Sequence, residues 1–379
     1  MRRWAARAGR RRSARSAWTP NWSPSTRDRR SPRRHRPDDH PTARVVEPGR
    51  LTPLPKAPDG LDVRARDPLQ EAMSVRVVLT LSFDQSAVAA EARHAEEAGY
   101  DGVGVGEHLF FHGPHPNGFV ALAAAAGATS RIRLLSSLTV LPLYPAALAA
   151  KLATTLDQVS GGRFDMGVGV GGEYPPEFVA AGVDVTERGA RTDEALELLA
   201  ALWNGGTVDF DGRFTRVPDL RLTPGPVQPG GPPIWLGGRR PAAIRRAGRF
   251  ADVWMPYMYS PEQVASSLAE VRAAAEQAGR DPAEVRGAIF CWGGTDPDAA
   301  RSRQEVVEAV GAVYQQDFDR VADRYLLHGD PDRVAARARE YADAGAETLI
   351  FSPVGEGSRR AEIVDLFTRS VLPRIQQLP

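Results

Sequence analysis

The chain has 379 residues, 42% hydrophobic and 25% charged, with a single cysteine, Cys291. One cysteine excludes a disulfide framework and any multi-cysteine zinc or iron–sulfur site, and no run approaches the ~18 uninterrupted apolar residues of a membrane span. The formal charge of +1 hides two unlike regions, because residues 1–72 hold 17 Arg and 1 Lys against 8 acidic side chains and the remainder is mildly acidic.

Residues 1–72 are crowded with Arg, Pro, Ser and Asp, as at Arg10-Arg11-Arg12, and hold too few aliphatic side chains to bury a core. They are expected to form a disordered basic tail. A nucleic-acid arm would suit the charge, but the only aromatics are Trp4, Trp18 and Trp22, and no nucleic-acid-binding fold follows. A twin-arginine export signal lacks its apolar stretch after Arg2-Arg3, and the prolines argue against the amphipathic helix of a transit peptide. Composition changes abruptly at Met73, just before the first convincing strand. We therefore read the tail as translated upstream sequence, Met73 as the natural start, and residues 73–379 as the folded domain.

From Met73 onward, apolar β-branched runs alternate with helical periodicity. A strand over 75–83 precedes a helix over 86–98, and a strand over 102–106 precedes a helix over 118–126. The pattern repeats with 132–141 and 146–159, then with 164–170 and 187–203. After an insertion over 207–233 come strand 234–236 with helix 241–247, and strand 252–255 with helix 261–278. Strand 285–290 leads into helices over 298–313, 318–325 and 331–344, and strand 348–352 into a last helix over 360–377. Within the insertion, 208–217 reads as a hairpin turning at Asp211-Gly212.

Strands that read as unbroken apolar runs are buried on both faces, as in a parallel sheet. Gly99, Gly161, Gly279 and Gly345 stand where helices end, and Pro261 and Pro331 stand where helices begin. Repeated strand–helix units over ~300 residues predict a (β/α)8 TIM barrel with its insertion between units four and five. A doubly wound sheet is the alternative, but the pattern shows no switch.

In such a barrel, chemistry sits where strands end. After the second strand stands Glu107-His108, an acid beside a group that titrates near neutrality, which suits proton transfer. His112 and His115 raise the alternative of a metal, set aside because Gly113-Pro114 breaks any helical register and no second His/Asp/Glu cluster follows a strand. After the fourth strand, Gly167, Gly169, Gly171 and Gly172 let the backbone approach a planar or phosphorylated ligand. A Rossmann loop would belong to a first βαβ unit, and this is the fourth. Gly237-Gly238-Arg239-Arg240 runs straight into a helix, where free N–H groups, dipole and cations favour phosphate. Phe110, Phe111, Tyr257 and Tyr259 read as walls for a small hydrophobic organic substrate. With no Ser-His-Asp set and no strand-end Schiff-base lysine, the chemistry is expected on a bound cofactor.

Taken in order, these segments resemble the luciferase-like (bacterial luciferase superfamily) oxidoreductases over nearly all of residues 73–378. The carriers are Gly106-Glu107-His108, Leu138 to Pro142, Lys151 to Asp157, Ser160 to Phe164, and Gly167 to Gly172. They continue with Glu187 to Arg191, Pro233 to Gly238, and Arg249 to Trp254. The text most resembles the F420-dependent branch, and the FMN-dependent monooxygenases that use reduced flavin and O2 are the alternative. The resemblance implies coenzyme F420 (or FMN) and hydride transfer between the deazaflavin C5 and a small organic molecule. It also implies a cytoplasmic homodimer without nucleic-acid or membrane partners.

By position, the resemblance makes His108, with Glu107, the proton-transfer pair. It puts Ser137 and Leu138 at a strand bulge that often carries a non-prolyl cis peptide, and Gly169, Val170 and Gly171 along the cofactor. Gly237, Gly238 and Arg239 then surround its phosphate, while Ser160 to Phe164 and Arg188 to Arg191 are structural. Sugar-phosphate-oxidising members place a carboxylate directly after the glycine run and a tryptophan four residues beyond the histidine. Here Gly172 intervenes before Glu173, and His112 replaces the tryptophan, so their substrate is not carried over. A protein that binds the cofactor without turnover is the rival from another class.

Overall fold

The computed structural model describes residues 75–378, so the expectations for residues 1–72 lie outside the described part. The first three staves are β1 (Arg76–Thr80), β2 (Gly102–Val105), and β3 (Arg133–Ser136) continued by β4 (Thr139–Val140). The stave expected as one strand over 132–141 is interrupted at Ser137–Leu138, whose peptide bond is cis. β5 (Phe164–Gly169) follows, and then a separate antiparallel hairpin of β6 (Val208–Asp211) and β7 (Arg216–Leu220). β8 (Ile234–Leu236), β9 (Val253–Trp254), β10 (Arg286–Gly293) and β11 (Ala346–Pro353) complete the sheet.

Its order is β3-β2-β1-β11-β10-β9-β8-β5-β4, and β3 also pairs with β5 through Leu134–Phe164 and Leu135–Asp165. Every ladder in it is parallel, so the sheet closes as the expected (β/α)8 TIM barrel. Val78, Leu135, Trp235, Val253, Met255, Ala288 and Ile350 form their own cluster of strand residues, which fills the barrel and floors the site. The larger apolar cluster joins the strands to the surrounding helices.

The helices begin and end for local reasons. α1 (Val88–Glu97) follows β1, and α2 (Gly118–Ala128) is capped by Asn117, whose side chain accepts the Val120 N–H. α3 (Ala146–Ser160) stops at Gly161, which takes φ 67 and bonds back to Asp157 and Gln158, a conformation glycine adopts without a Cβ penalty. α4 (Pro175–Ala180) was not anticipated, since six residues are too few to show a period. Then come α5 (Arg188–Trp203), α6 (Pro241–Phe250), and α7 (Pro261–Gln277), the last with a reciprocal Ser260–Gln263 capping box. α8 (Ala299–Tyr314), α9 (Ala322–Tyr325) and α10 (Pro331–Asp343) precede β11. The helix expected over 360–377 is two, α11 (Gly357–Ser370) and α12 (Leu372–Ile375). Pro373 removes a backbone donor and crowds the preceding turn, so the helix breaks at Val371.

The insertion returns to the barrel through one buried carboxylate. Asp157, fully buried on α3, accepts the N–H groups of Val227 (2.6 Å) and Gln228 (3.0 Å) and the Gln228 side-chain amide (2.8 Å). Lys151 and Gln158 of the same helix bond the carbonyls of Thr223 and Gly225. Replacing Asp157 by Ala strands three donors at once, and D157A should lose about 3 kcal/mol of stability. Urea unfolding followed by circular dichroism reads this directly, and a loss within ~0.5 kcal/mol would show that the anchor is dispensable.

Candidate active site

The C-terminal strand ends open on a cavity of about 320 Å³. It draws residues from after β1, β2, β3, β5, β8, β9 and β10, among them His108, Ser137, Leu138, Gly169, Val170, Gly171, Gly237, Gly238, Arg239, Tyr257 and Trp292. The expected catalytic and cofactor positions, Glu107 included, line it, whereas Gly167, Gly172, His112, Phe110 and Tyr259 do not. A depression of about 480 Å³ beneath the insertion, lined by Trp203, Leu222, Pro226 and Gln228 among others, holds no titratable pair.

His108 is held by a residue that sequence reasoning missed. Its Nδ1 lies 3.1 and 3.3 Å from the two carboxylate oxygens of Glu177, which is fully buried on α4. A carboxylate only accepts, so Nδ1 carries the proton and Nε2 is the nitrogen left for other partners. The signal available in the sequence was weak: a Glu four residues past Glu173, behind Pro175-Pro176, on a helix too short to announce itself.

Glu107, expected to form the proton-transfer pair with His108, makes its hydrogen bonds elsewhere. It accepts from the Gly118 N–H (2.8 Å), the Tyr144 hydroxyl (3.1 Å) and the Val140 N–H (3.2 Å). It thereby ties the loop after β2 to the first turn of α2 and to β4, with its charge at a helix N-terminus. Burial pushes its carboxyl above the ordinary value, against the pull of the bonds from Gly118, Tyr144 and Val140.

Around His108 the rings close up. Phe111 stacks on it at 4.2 Å between centroids, and His115 meets it edge-on at 5.0 Å. His115 donates its Nδ1–H to the Gly113 carbonyl at 3.1 Å, and burial holds its pKa below the ordinary histidine value. His112 instead faces Tyr174 at 5.2 Å and does not line the cavity. Among the described residues no group of three or more His, Cys, Asp or Glu is placed to hold a metal ion. Of the four expected walls, Phe111 and Tyr257 line the cavity. Phe110 points away, 56% exposed, and Tyr259 is buried with its carbonyl taken by the Tyr341 hydroxyl.

The opposite side is mostly backbone. A Cβ on Gly171 would fall 2.6 Å from Val140, and one on Gly237 would fall 2.7 Å from Leu138, so both positions exclude side chains. Gly238 takes φ 111, its carbonyl accepts the Trp254 indole N–H, and no side chain caps α6 just beyond it. The Ser137 hydroxyl and the Arg188 Nε are buried without a hydrogen-bond partner among the described residues. Arg188, read from sequence as purely structural, reaches up to the glycine run: a Cβ on Gly172 would lie 2.7 Å from its Nε. Open backbone, an uncapped helix start, nearby guanidinium groups and unpartnered donors together suit a flat ligand carrying a phosphate.

Glu173 and Tyr257 close the far rim, the tyrosine hydroxyl donating to the carboxylate. Burial, followed by the Glu173 charge, pushes the Tyr257 hydroxyl above its ordinary value. Arg239 lies over the Tyr257 ring at 5.1 Å.

The model of the luciferase-like monooxygenase family matches residues 70–348. The chain is 31% identical over 313 residues to an F420-dependent glucose-6-phosphate dehydrogenase of Nocardia farcinica, covering 75% of this chain and 92% of that one. It is 37% identical over 182 residues to an uncharacterised protein of Mycobacterium tuberculosis, covering 48% of this chain and 62% of that protein's length. Among solved structures, the monooxygenase RslO1 of Streptomyces bottropensis is 27% identical with a TM-score of 0.70, covering 79% of this chain and 99% of that one. An F420-dependent secondary alcohol dehydrogenase shares the fold with a TM-score of 0.71 at 21% identity, covering 80% of this chain and all of that one.

Because burial raises the Glu107 pKa, the native state holds that proton to higher pH than the unfolded chain does, and stability from this group falls as pH rises. The stability advantage of wild type over E107Q should therefore be largest in the acid range. It should shrink as pH rises above the ordinary carboxylate range. Urea midpoints of both proteins at stepped pH test this, and a pH-independent difference would remove Glu107 as its source.

Proposed function

Because the chain belongs to the luciferase-like monooxygenase family, we propose that this oxidoreductase uses F420 to transfer a hydride to or from a small organic molecule. The observation that carries the reading is the His108–Glu177 pair, set on the same cavity as the glycine-lined cleft. The F420-dependent dehydrogenase relative, whose match spans three quarters of this chain, supports the choice of cofactor. In this reading Ser137, Leu138, Gly169, Val170 and Gly171 hold the ring system, and Gly237, Gly238 and Arg239 hold the phosphate. Bound F420 supplies, or accepts, the hydride at its deazaflavin C5.

The protein's own part is the proton. Glu177 keeps the proton on Nδ1 of His108, so Nε2 accepts a proton from a substrate hydroxyl during oxidation and returns it during reduction. The buried carboxylate also stabilises the imidazolium formed in between. Glu107 serves this by holding the loop that carries His108. Glucose 6-phosphate is not carried over as substrate, since Gly172 separates the glycine run from Glu173, whose carboxylate is taken by Tyr257.

Fluorescence titration with F420 and separately with FMN tests the cofactor. F420 should bind in the micromolar range and FMN much more weakly. The likeness to RslO1, a monooxygenase, favours a second reading, that of a monooxygenase using reduced FMN and O2, and preference for FMN would favour it over the F420 reading. H108A should lower turnover by about 10²–10⁴-fold, and E177Q by about 10–10²-fold, with cofactor affinity near normal in both. A loss below tenfold in H108A would take His108 out of the mechanism.

We also propose a homodimer. α2 carries no charged residue, yet Val120 (72% exposed), Ala123, Ala124 and Gly127 face outward. A helix apolar all round is ordinarily buried. Sedimentation should give twice the chain mass for wild type and a monomer for V120K/A124E, and a monomeric wild type would refute the assembly.

A further inference from the structure

One wall of the cavity is aromatic and comes from three elements. Tyr257 follows β9, Phe290 and Trp292 lie on β10, and Tyr314 is the last residue of α8. Gln315 takes φ 53 directly afterwards, in the left-handed region, and so ends the helix where the Tyr314 ring enters the wall. Tyr314 stacks against Tyr257 with centroids 6.3 Å apart and planes 18° apart. Phe290 meets Trp292 edge-on at 5.6 Å.

Hydrogen-bond accounting in this wall leaves one proton over. The Trp292 indole N–H can only donate, and it donates to the Tyr314 hydroxyl oxygen at 3.2 Å. The Tyr314 oxygen is thus the acceptor, and its own O–H must find another partner. Among the described residues none takes it. The neighbouring phenol does not share this condition, because the Tyr257 proton goes to Glu173. Receiving the indole proton also polarises the Tyr314 O–H and makes it the better donor.

We propose that Tyr314 is a specificity-determining residue, whose hydroxyl donates to an oxygen acceptor on a flat, apolar substrate such as an aryl ketone. The inference rests on the reading of this cavity as the substrate site, and it adds the substrate's chemical class. The aromatic faces accommodate the planar frame, and the O–H selects among such frames for one bearing a carbonyl or similar oxygen. Without that donor the wall would prefer the plain hydrocarbon, since a ketone gives up its bonds to water on entry and nothing replaces them.

The test compares acetophenone with ethylbenzene, two molecules of similar shape, by calorimetric titration of the full chain with and without F420. The readout is the ratio of the two dissociation constants, ethylbenzene over acetophenone. This ratio should fall about 5- to 10-fold from wild type to Y314F, the worth of one hydrogen bond. W292F should give a smaller fall, because it removes the indole donor and leaves the Tyr314 hydroxyl in place. A ratio unchanged within twofold in Y314F would overturn the proposal, as would a wild type that already favours ethylbenzene or binds neither probe. Failure of F420 to bind while the Y314F ratio still falls would instead count against the cofactor alone. Thermal unfolding of Y314F, expected within a few degrees of wild type, separates a lost donor from a lost fold.

Discussion

Backbone hydrogen bonds between β3 and β5, at Leu134–Phe164 and Leu135–Asp165, close the parallel sheet on itself, and the site exists only because of that closure. An open sheet would leave the loops after β2 and β8 at separate edges. Closure brings all the strand ends onto one rim, so that His108, Gly169 and Gly237 face one cavity although long stretches of chain separate them. The same closure points Val78, Leu135, Trp235 and Ile350 inward, where they pack into a floor. The cavity is therefore a cup set on a solid core.

Three carboxylates serve this cup, and their surroundings divide the work among them. Glu107 is spent on N–H groups and a tyrosine, and holds a loop to a helix start. Glu177, equally buried, meets the imidazole and sets which nitrogen carries its proton. Glu173 is exposed and takes the Tyr257 hydroxyl across the rim. All three are glutamates, and each does what its nearest donors allow.

The two sides of the cavity differ in kind. Toward β3, β5 and β8 the lining is glycine and backbone, with the unpartnered Ser137 hydroxyl and Arg188 Nε close by. That composition suits a rigid, polar, phosphate-bearing ligand. Toward β9, β10 and the end of α8 it is aromatic, with single polar atoms at Tyr257, Trp292 and Tyr314. That composition suits a smaller, less polar molecule. The barrel supplies these two unlike surfaces from adjacent arcs of one rim, since β8 pairs directly with β9.

Much of this was legible in the chain itself. Buried parallel strands must be apolar on both faces, and helices outside them must be apolar on one, so the alternation of the two periods announced a closed α/β barrel. His108 and the glycines of the Gly169 and Gly237 loops could be picked out because they stand directly after strands. The break at Val371 was foreseeable from Pro373 but masked by continuing helical periodicity. Glu177 was not legible, because α4 is six residues long and its approach to His108 spans 69 positions. Nor was the role of Tyr314, which depends on where Gln315 turns the chain and on an indole 22 residues earlier. Sequence determined the fold and the rim positions, since periodicity and burial act through many residues at once. Which acid orients His108, which merely holds its loop, and which phenol keeps a free proton were decided by tertiary structure, because a hydrogen bond acts only over about 3 Å.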